Sequence, residues 1–206
     1  TEETNLIEIT VINFTPGSIS AAQTICEGDV PVALAATAPA GDGTFTFQWQ
    51  NSTDGTTFAD MPGETGATFI PAALIADTWF KRIVTASLNS QSCEQATNSI
   101  KITVNNFDPG SISADVTVCE GENPVAFVSV SPFGDGTITY KWQRSTDGTS
   151  FSDIPGATSE TYDPSALTQD TWYKRLVTST LSGNACTEET NVVKVTVNNF
   201  DPGSIT

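Results

Sequence analysis

Between Thr137 and Gln143 apolar and polar residues alternate, with Ile138, Tyr140 and Trp142 on one side and Thr139, Lys141 and Gln143 on the other. A period of two predicts a β-strand with one face buried and one wet. Similar runs predict strands from Ile112 to Val118, ending at Cys119, and from Val125 to Val130. Others follow through Phe151, from Glu160 to Tyr162, from Thr171 to Thr180 and from Asn191 to Val197. Gly134-Asp135-Gly136, Asp147-Gly148 and Pro155-Gly156 supply the turns between them. Ser165-Ala166-Leu167 leaves room for one helical turn at most. About seven short strands with a tryptophan in the third predict an all-β, immunoglobulin-like sandwich. The cysteines depart from the antibody pattern, because Cys119 precedes the second strand and Cys186 follows the sixth.

The pattern occurs twice. A shift of 93 positions places Phe14 on Phe107, Cys26 on Cys119, Trp49 on Trp142, Trp79 on Trp172 and Cys93 on Cys186, and 52 of the 93 aligned positions are identical without a gap. The period is too long for a solenoid repeat and fits one small sandwich domain. The expected organisation is therefore 1–13 as the last strand of a preceding repeat, 14–106 and 107–199 as two whole repeats, and 200–206 as the start of a following one. At most about seven residues would link the two repeats, between Val104 and Ile112.

Composition removes several functions. Val, Ile and Thr total 61 residues against 7 Leu, a β-forming bias. Eight Lys and Arg stand against 24 Asp and Glu, a net charge of −16. That balance speaks against nucleic acid and anionic membranes as partners. Histidine is absent, which removes the commonest general base and the usual zinc ligand. No apolar run is long enough to span a bilayer, so no membrane insertion is expected. With no nucleophile–base pair or metal constellation, an enzyme is not expected and no catalytic or cofactor-binding residue is assigned.

Gly-Ser-Ile-Ser, Cys-Glu-Gly, Trp-Gln-x-Ser-Thr-Asp-Gly-Thr, Pro-x-Ala-Leu and Asp-Thr-Trp-(Phe/Tyr)-Lys-Arg recur in both units. On these strings the chain resembles the Ig-like repeats of very large secreted surface proteins of Bacteroidetes, including adhesins of gliding motility exported by the type 9 system. The resemblance implies an extracellular, cell-surface location and a role in adhesion or display, with no catalytic residues to carry over. The leading expectation is a stalk or display module whose partners are neighbouring repeats of the same chain. The alternative is weak, multivalent binding of a surface polysaccharide.

An even cysteine count in a secreted β protein suggests disulfides. Cys26–Cys93 and Cys119–Cys186, one bond per repeat, are the favoured pairs. They require the segment from Leu181 to Asn191 to bend back over its own domain, and Cys26–Cys186 is the competing pairing. Trp49 and Trp142 are expected in the cores, with Thr46, Gln48, Thr139 and Lys141 exposed on the opposite face. Trp79 and Trp172 are expected to pack at the rim or to offer a sugar platform. In Lys81-Arg82 and Lys174-Arg175, one member is expected to turn inward, with Asp77 and Asp170 as ion-pair partners. No cofactor is expected. The Asp-Gly pairs at Asp42, Asp54, Asp135 and Asp147 read as turns, and calcium, if bound, would sit near Asn105, Asn106, Asp108 and Asp135.

Overall fold

A computed structural model describes residues 9–20, 22–113 and 115–200. The expectations for 1–8 and 201–206 lie outside the described residues. The chain divides into two compact units between Val104 and Asn105. The first repeat supplies β1 (Phe14–Thr15), β2 (Ile19–Ser20), β3 (Gln23–Cys26), β4 (Ala35–Ala36), β5 (Ala40–Gly41), β6 (Thr44–Ser52), β7 (Ala59–Asp60), β8 (Thr78–Leu88), β9 (Gln91–Ala96) and β10 (Ile100–Asn105). The second repeat supplies β11 (Phe107–Asp108), β12 (Ser111–Ile112), β13 (Val116–Cys119), β14 (Ser129–Val130), β15 (Phe133–Gly134), β16 (Thr137–Ser145), β17 (Ser152–Asp153), β18 (Thr171–Leu181), β19 (Asn184–Glu189) and β20 (Val193–Asn198).

Both repeats are immunoglobulin-like β-sandwiches. The larger sheet has the order β3-β10-β8-β6-β7 in the first and β13-β20-β18-β16-β17 in the second, with β9 added to β8 and β19 to β18. The facing layer is built from short pairs, β1–β5 and β2–β4 with a Leu34–Phe69 bridge, repeated as β11–β15 and β12–β14 with a Phe127–Tyr162 bridge. The core lies between them. In the first unit Ile19, Leu34, Trp49, Phe69, Phe80 and Ile102 pack together; in the second Phe127, Trp142, Leu167, Tyr173 and Val195 do so. Period-two burial along β8 selects the inward face, so Thr78, Phe80, Arg82, Val84 and Ala86 are buried.

The strand expected from Val125 to Val130 is reduced to β14 and the Phe127 bridge. No helical turn forms at Ser165-Ala166-Leu167. The run from Ile112 to Val118 is two strands: β12 pairs with β14 in the thin layer, and β13 runs parallel to β20 in the main sheet. An asparagine side chain bridges this crossing like a peptide group. Asn191 Oδ1 accepts from the Ile112 amide and its Nδ2 donates to the Ile112 carbonyl, as Asn98 does for Ile19.

The segment from Leu181 to Asn191 also differs from the expected loop. Residues 184–189 form β19, locked antiparallel to β18 from Leu176↔Glu189 to Leu181↔Asn184. Its turn residues Ser182 and Gly183 have φ of 49° and 84°, and Asn89 and Ser90 in the first repeat have 50° and 65°. Two positive φ values mark the two-residue turn whose twist matches a hairpin.

Candidate functional site

Trp49 and Trp142 are both fully buried, and their indole Nε1 groups donate at 2.9 Å to the carbonyls of Gly66 and Ser159. Aromatic neighbours surround them: Phe69 lies 5.5 Å from Trp49, and Tyr162 lies 5.4 Å from Trp142. On the outer face Thr46, Thr139 and Lys141 are exposed. Gln48 is half-buried, because its Nε2 donates to the Met61 and Trp49 carbonyls.

The most unusual group in each core is the arginine of the Lys-Arg pair. Arg82 and Arg175 are 1% and 0% exposed. Alternation along the strand forces them inward, and neither is in an ion pair among the described residues, although the Glu160 carboxylate acts on Arg175 through space. Arg82 Nη1 donates to the Ala67 carbonyl at 2.6 Å, and Nη2 donates to the carbonyls of Pro16 and Thr37 at 3.1 and 3.0 Å. Arg175 repeats the arrangement, donating to Glu160 at 2.6 Å and Pro109 at 3.0 Å. The guanidinium carbons lie 4.5 Å from the Phe47 ring centroid and 5.0 Å from that of Tyr140. Carbonyl dipoles and ring faces thus take the place of a directly paired counter-ion, as suits a weakly hydrated planar cation. Burial lowers both arginine pKa values from the ordinary one. The effect is mechanical: the segment after β1 or β11 and the crossing toward β8 or β18 are tied to a central strand by one side chain.

The expected ion pairs form with a different lysine. Asp77 holds Lys101 at 2.5 Å and accepts from the Val104 amide; Asp170 holds Lys194 at 2.7 Å and accepts from the Val197 amide. The reason is register, since Lys101 lies opposite Trp79 and Lys194 opposite Trp172, next to those aspartates. Lys81 instead stands over the Phe58 ring, and Lys174 pairs with Glu189.

Phe80 and Tyr173 take the inward positions, leaving Trp79 and Trp172 half-buried at the rim. Lys101 and Lys194 each stand 5.0 Å from an indole centroid, and Gly55 and Gly148 press against the same rings. That is rim packing, with the indoles engaged by their own domain.

The Asp-Gly turns are closed hydrogen-bond knots. Asp54 Oδ1 accepts from the Thr56 and Thr57 amides, both at 2.7 Å, and from Ser52 Oγ at 2.8 Å. Those donors hold its carboxyl well below the usual carboxylate range. Asp147 is held the same way by Ser150, Ser145 and Thr149.

Of the residues named for calcium, Asn105 spends its side chain on Ser179, donating to the carbonyl and accepting from Oγ. Asp108 accepts from the Gly110 amide, and the Asp135 amide donates to the Asn106 carbonyl. Among the described residues no three acidic, cysteine or histidine side chains are grouped to hold a metal ion.

The cysteines depart from the favoured pairing. Cys26 and Cys186 are disulfide-bonded, whereas Cys93 and Cys119 are exposed free thiols. Neither Cys26–Cys93 nor Cys119–Cys186 forms. The hairpins explain this, because strands fixed to β8 and β18 cannot bend back as a loose segment would. Cys186 is 4% exposed although Cys93, at the same strand position, is open to solvent.

The model of a family described as a domain of unknown function (DUF8696) matches residues 15–106 and again 108–199. No curated protein matches the chain. Among solved structures, the three N-terminal domains of the bacteriophage RB49 highly immunogenic outer capsid protein are similar, with 15% identity and a TM-score of 0.50 over 93% of this chain and 70% of that one. The tandem Ig repeats of Dlar have 12% identity and a TM-score of 0.36, covering 92% of this chain and 98% of that one. Extracellular domains 3–5 of Drosophila OTK have 14% identity and a TM-score of 0.40, covering 92% and 63%.

Proposed function

Since the chain belongs to the DUF8696 family and folds as tandem Ig-like sandwiches, we propose that it is a structural stalk or display module of a large extracellular bacterial adhesin, of the gliding-motility, type 9-exported kind. The observation that carries this reading is the buried arginine tie, built twice on backbone carbonyls and holding strands together. A disulfide supports an oxidising, extracellular setting. The motif tryptophans, arginines and Asp-Gly turns of both repeats are engaged within their own domains, as a module whose task is shape and spacing requires. Its partners on this reading are further copies of the same repeat.

Domain replacement tests it. In the parent surface protein these two repeats are exchanged for two unrelated Ig-like domains of equal length, and in a second strain they are deleted. Adhesion retained on exchange and reduced on deletion is expected; loss of adhesion on exchange overturns the structural role. A second reading, weak polysaccharide binding strengthened by repetition, is favoured by one observation, an arginine without an ion-pair partner in a polar cavity of the second repeat.

A further inference from the structure

Seven of the eight basic side chains are already engaged among the described residues. Arg82 and Arg175 are buried. Lys101, Lys141, Lys174 and Lys194 are in ion pairs with Asp77, Asp153, Glu189 and Asp170. Lys81 is stacked on Phe58. Arg144 has none of these engagements, and it is exposed. It lines a cavity of about 240 Å³ together with Thr146, Leu167, Thr168, Gln169 and Thr171. That volume is below the range of drug-sized sites, about 300–1,000 Å³, and suits one small group.

The lining has a definite chemistry. Arg144 offers a planar fork of donors that matches a carboxylate bidentately. Thr146, Thr168 and Gln169 are exposed and bring hydroxyl and amide groups that both donate and accept. Leu167, 8% exposed, gives an apolar floor, while Thr171 is committed to the Gln169 carbonyl. A cation, ringed by neutral polar groups over an apolar floor, complements a ring that carries one carboxylate and several hydroxyls.

The first repeat is an internal control. On the same frame, Asn51 stands where the second repeat has Arg144, Ile75 where it has Thr168, and Ala76 where it has Gln169, whereas Thr53, Leu74 and Thr78 are unchanged. Ile75 is 71% exposed there. The groups that differ are the ones that would recognise a charged sugar.

We propose that this cavity of the second repeat binds a hexuronate, a carboxylate-bearing sugar, with Arg144 on the carboxylate and Thr168 and Gln169 on hydroxyls. The assignment rests on the polysaccharide-binding reading and narrows it to acidic sugars. The chain's charge of −16 repels anions, so the site is expected to be weak.

The test uses the two-repeat chain, ¹⁵N-labelled, titrated with galacturonate into the millimolar range, with glucose and inorganic sulfate as separate arms. Expected are saturable shifts of the Arg144 Nε–H and of the 168–171 amides with galacturonate, little with glucose, and binding at least tenfold weaker in Arg144→Asn. Because Asn is the first repeat's own residue there, the fold is retained; Thr168→Ile with Gln169→Ala is expected to weaken binding without removing the arginine. Absence of shifts, or unchanged binding in Arg144→Asn, overturns the assignment. Equal binding of sulfate and galacturonate overturns the sugar class. Polygalacturonate retention on immobilised chain, measured alongside, separates the two levels. Retention that survives Arg144→Asn sinks this cavity but leaves polysaccharide binding standing, and no retention of either protein sinks both.

Discussion

Gly148 packs against the indole of Trp172, so closely that a Cβ on it would lie 3.1 Å from Cε2, with φ at 73°. Gly55 meets Trp79 in the same way, at 3.0 Å and 72°. The glycine of the Asp-Gly turn is therefore required twice over, by backbone conformation and by its neighbour. Gly148→Ala is expected to destabilise the chain by about 1–2 kcal/mol from the left-handed backbone alone, with more from the indole contact. Urea denaturation followed by tryptophan fluorescence measures it, and an unchanged midpoint would contradict the packing.

Removing Arg82 leaves three carbonyls without their shared donor. Charge-assisted hydrogen bonds are worth about 1.5–3 kcal/mol each, so Arg82→Ala is expected to cost about 3 kcal/mol or more. Arg82→Lys keeps the charge but lacks the planar fork, and is expected to recover only part of the loss. Full recovery by lysine in the same urea titration would mean that geometry is irrelevant to the tie.

Trp142→Ala opens a large cavity in the core and is expected to cost about 3–5 kcal/mol. Trp142→Phe keeps most of the apolar surface but leaves the Ser159 carbonyl without its indole donor. The smaller loss, about 1 kcal/mol from the hydrogen bond plus a packing penalty, separates the two contributions when both midpoints are compared.

Alkylation of the native, unreduced chain is expected to label Cys93 and Cys119, with Cys26 and Cys186 labelled only after reduction. Peptide mass mapping reads the result. Protection of Cys93 or Cys119 in the native chain would reverse the assignment.

Stability is expected to be flat from about pH 5 to about pH 9, since no histidine titrates there. At the acid end, Asp54, Asp147, Asp77, Asp153 and Asp170 all have folded-state pKa values below the ordinary carboxylate value. Their contribution is present above the unfolded value near 4 and is lost as pH falls through the folded ones. At the alkaline end, burial and then the nearby Tyr162 push Tyr173 up to about 12. Its contribution is present below about 10 and is lost as pH climbs toward the folded value. Thermal melts across the range check both limbs; a transition near pH 6.5 would contradict the flat middle.

What could be read in the sequence was whatever has a buried side. The strand holding Trp142 announces itself because one face is apolar, and so does the strand holding Tyr173. The strands β9 and β19 do not: Gln91–Ala96 is exposed at every position, and Asn184–Glu189 buries only Cys186. An edge strand without a hydrophobic face leaves no period to detect, so this segment read as a loop and the cysteine pairing built on that loop failed with it. The turn signal was present in Ser182-Gly183, a dipeptide able to take two positive φ values. Lys-Arg was correctly read as having one inward member. Its partners were not legible, because backbone carbonyls leave no mark in a sequence.

That same anonymity gives the repeats freedom to drift. The carbonyl that receives the arginine's shortest hydrogen bond belongs to Ala67 in one copy and to Glu160 in the other, at 2.6 Å in both. A tie anchored on main-chain oxygen forms the same hydrogen bond whichever side chain the anchoring residue carries. Surface positions around it can be rewritten copy by copy, under selection from whatever the surroundings present, while the fastening underneath stays the same. An array of such units can diversify its exterior without renegotiating its interior.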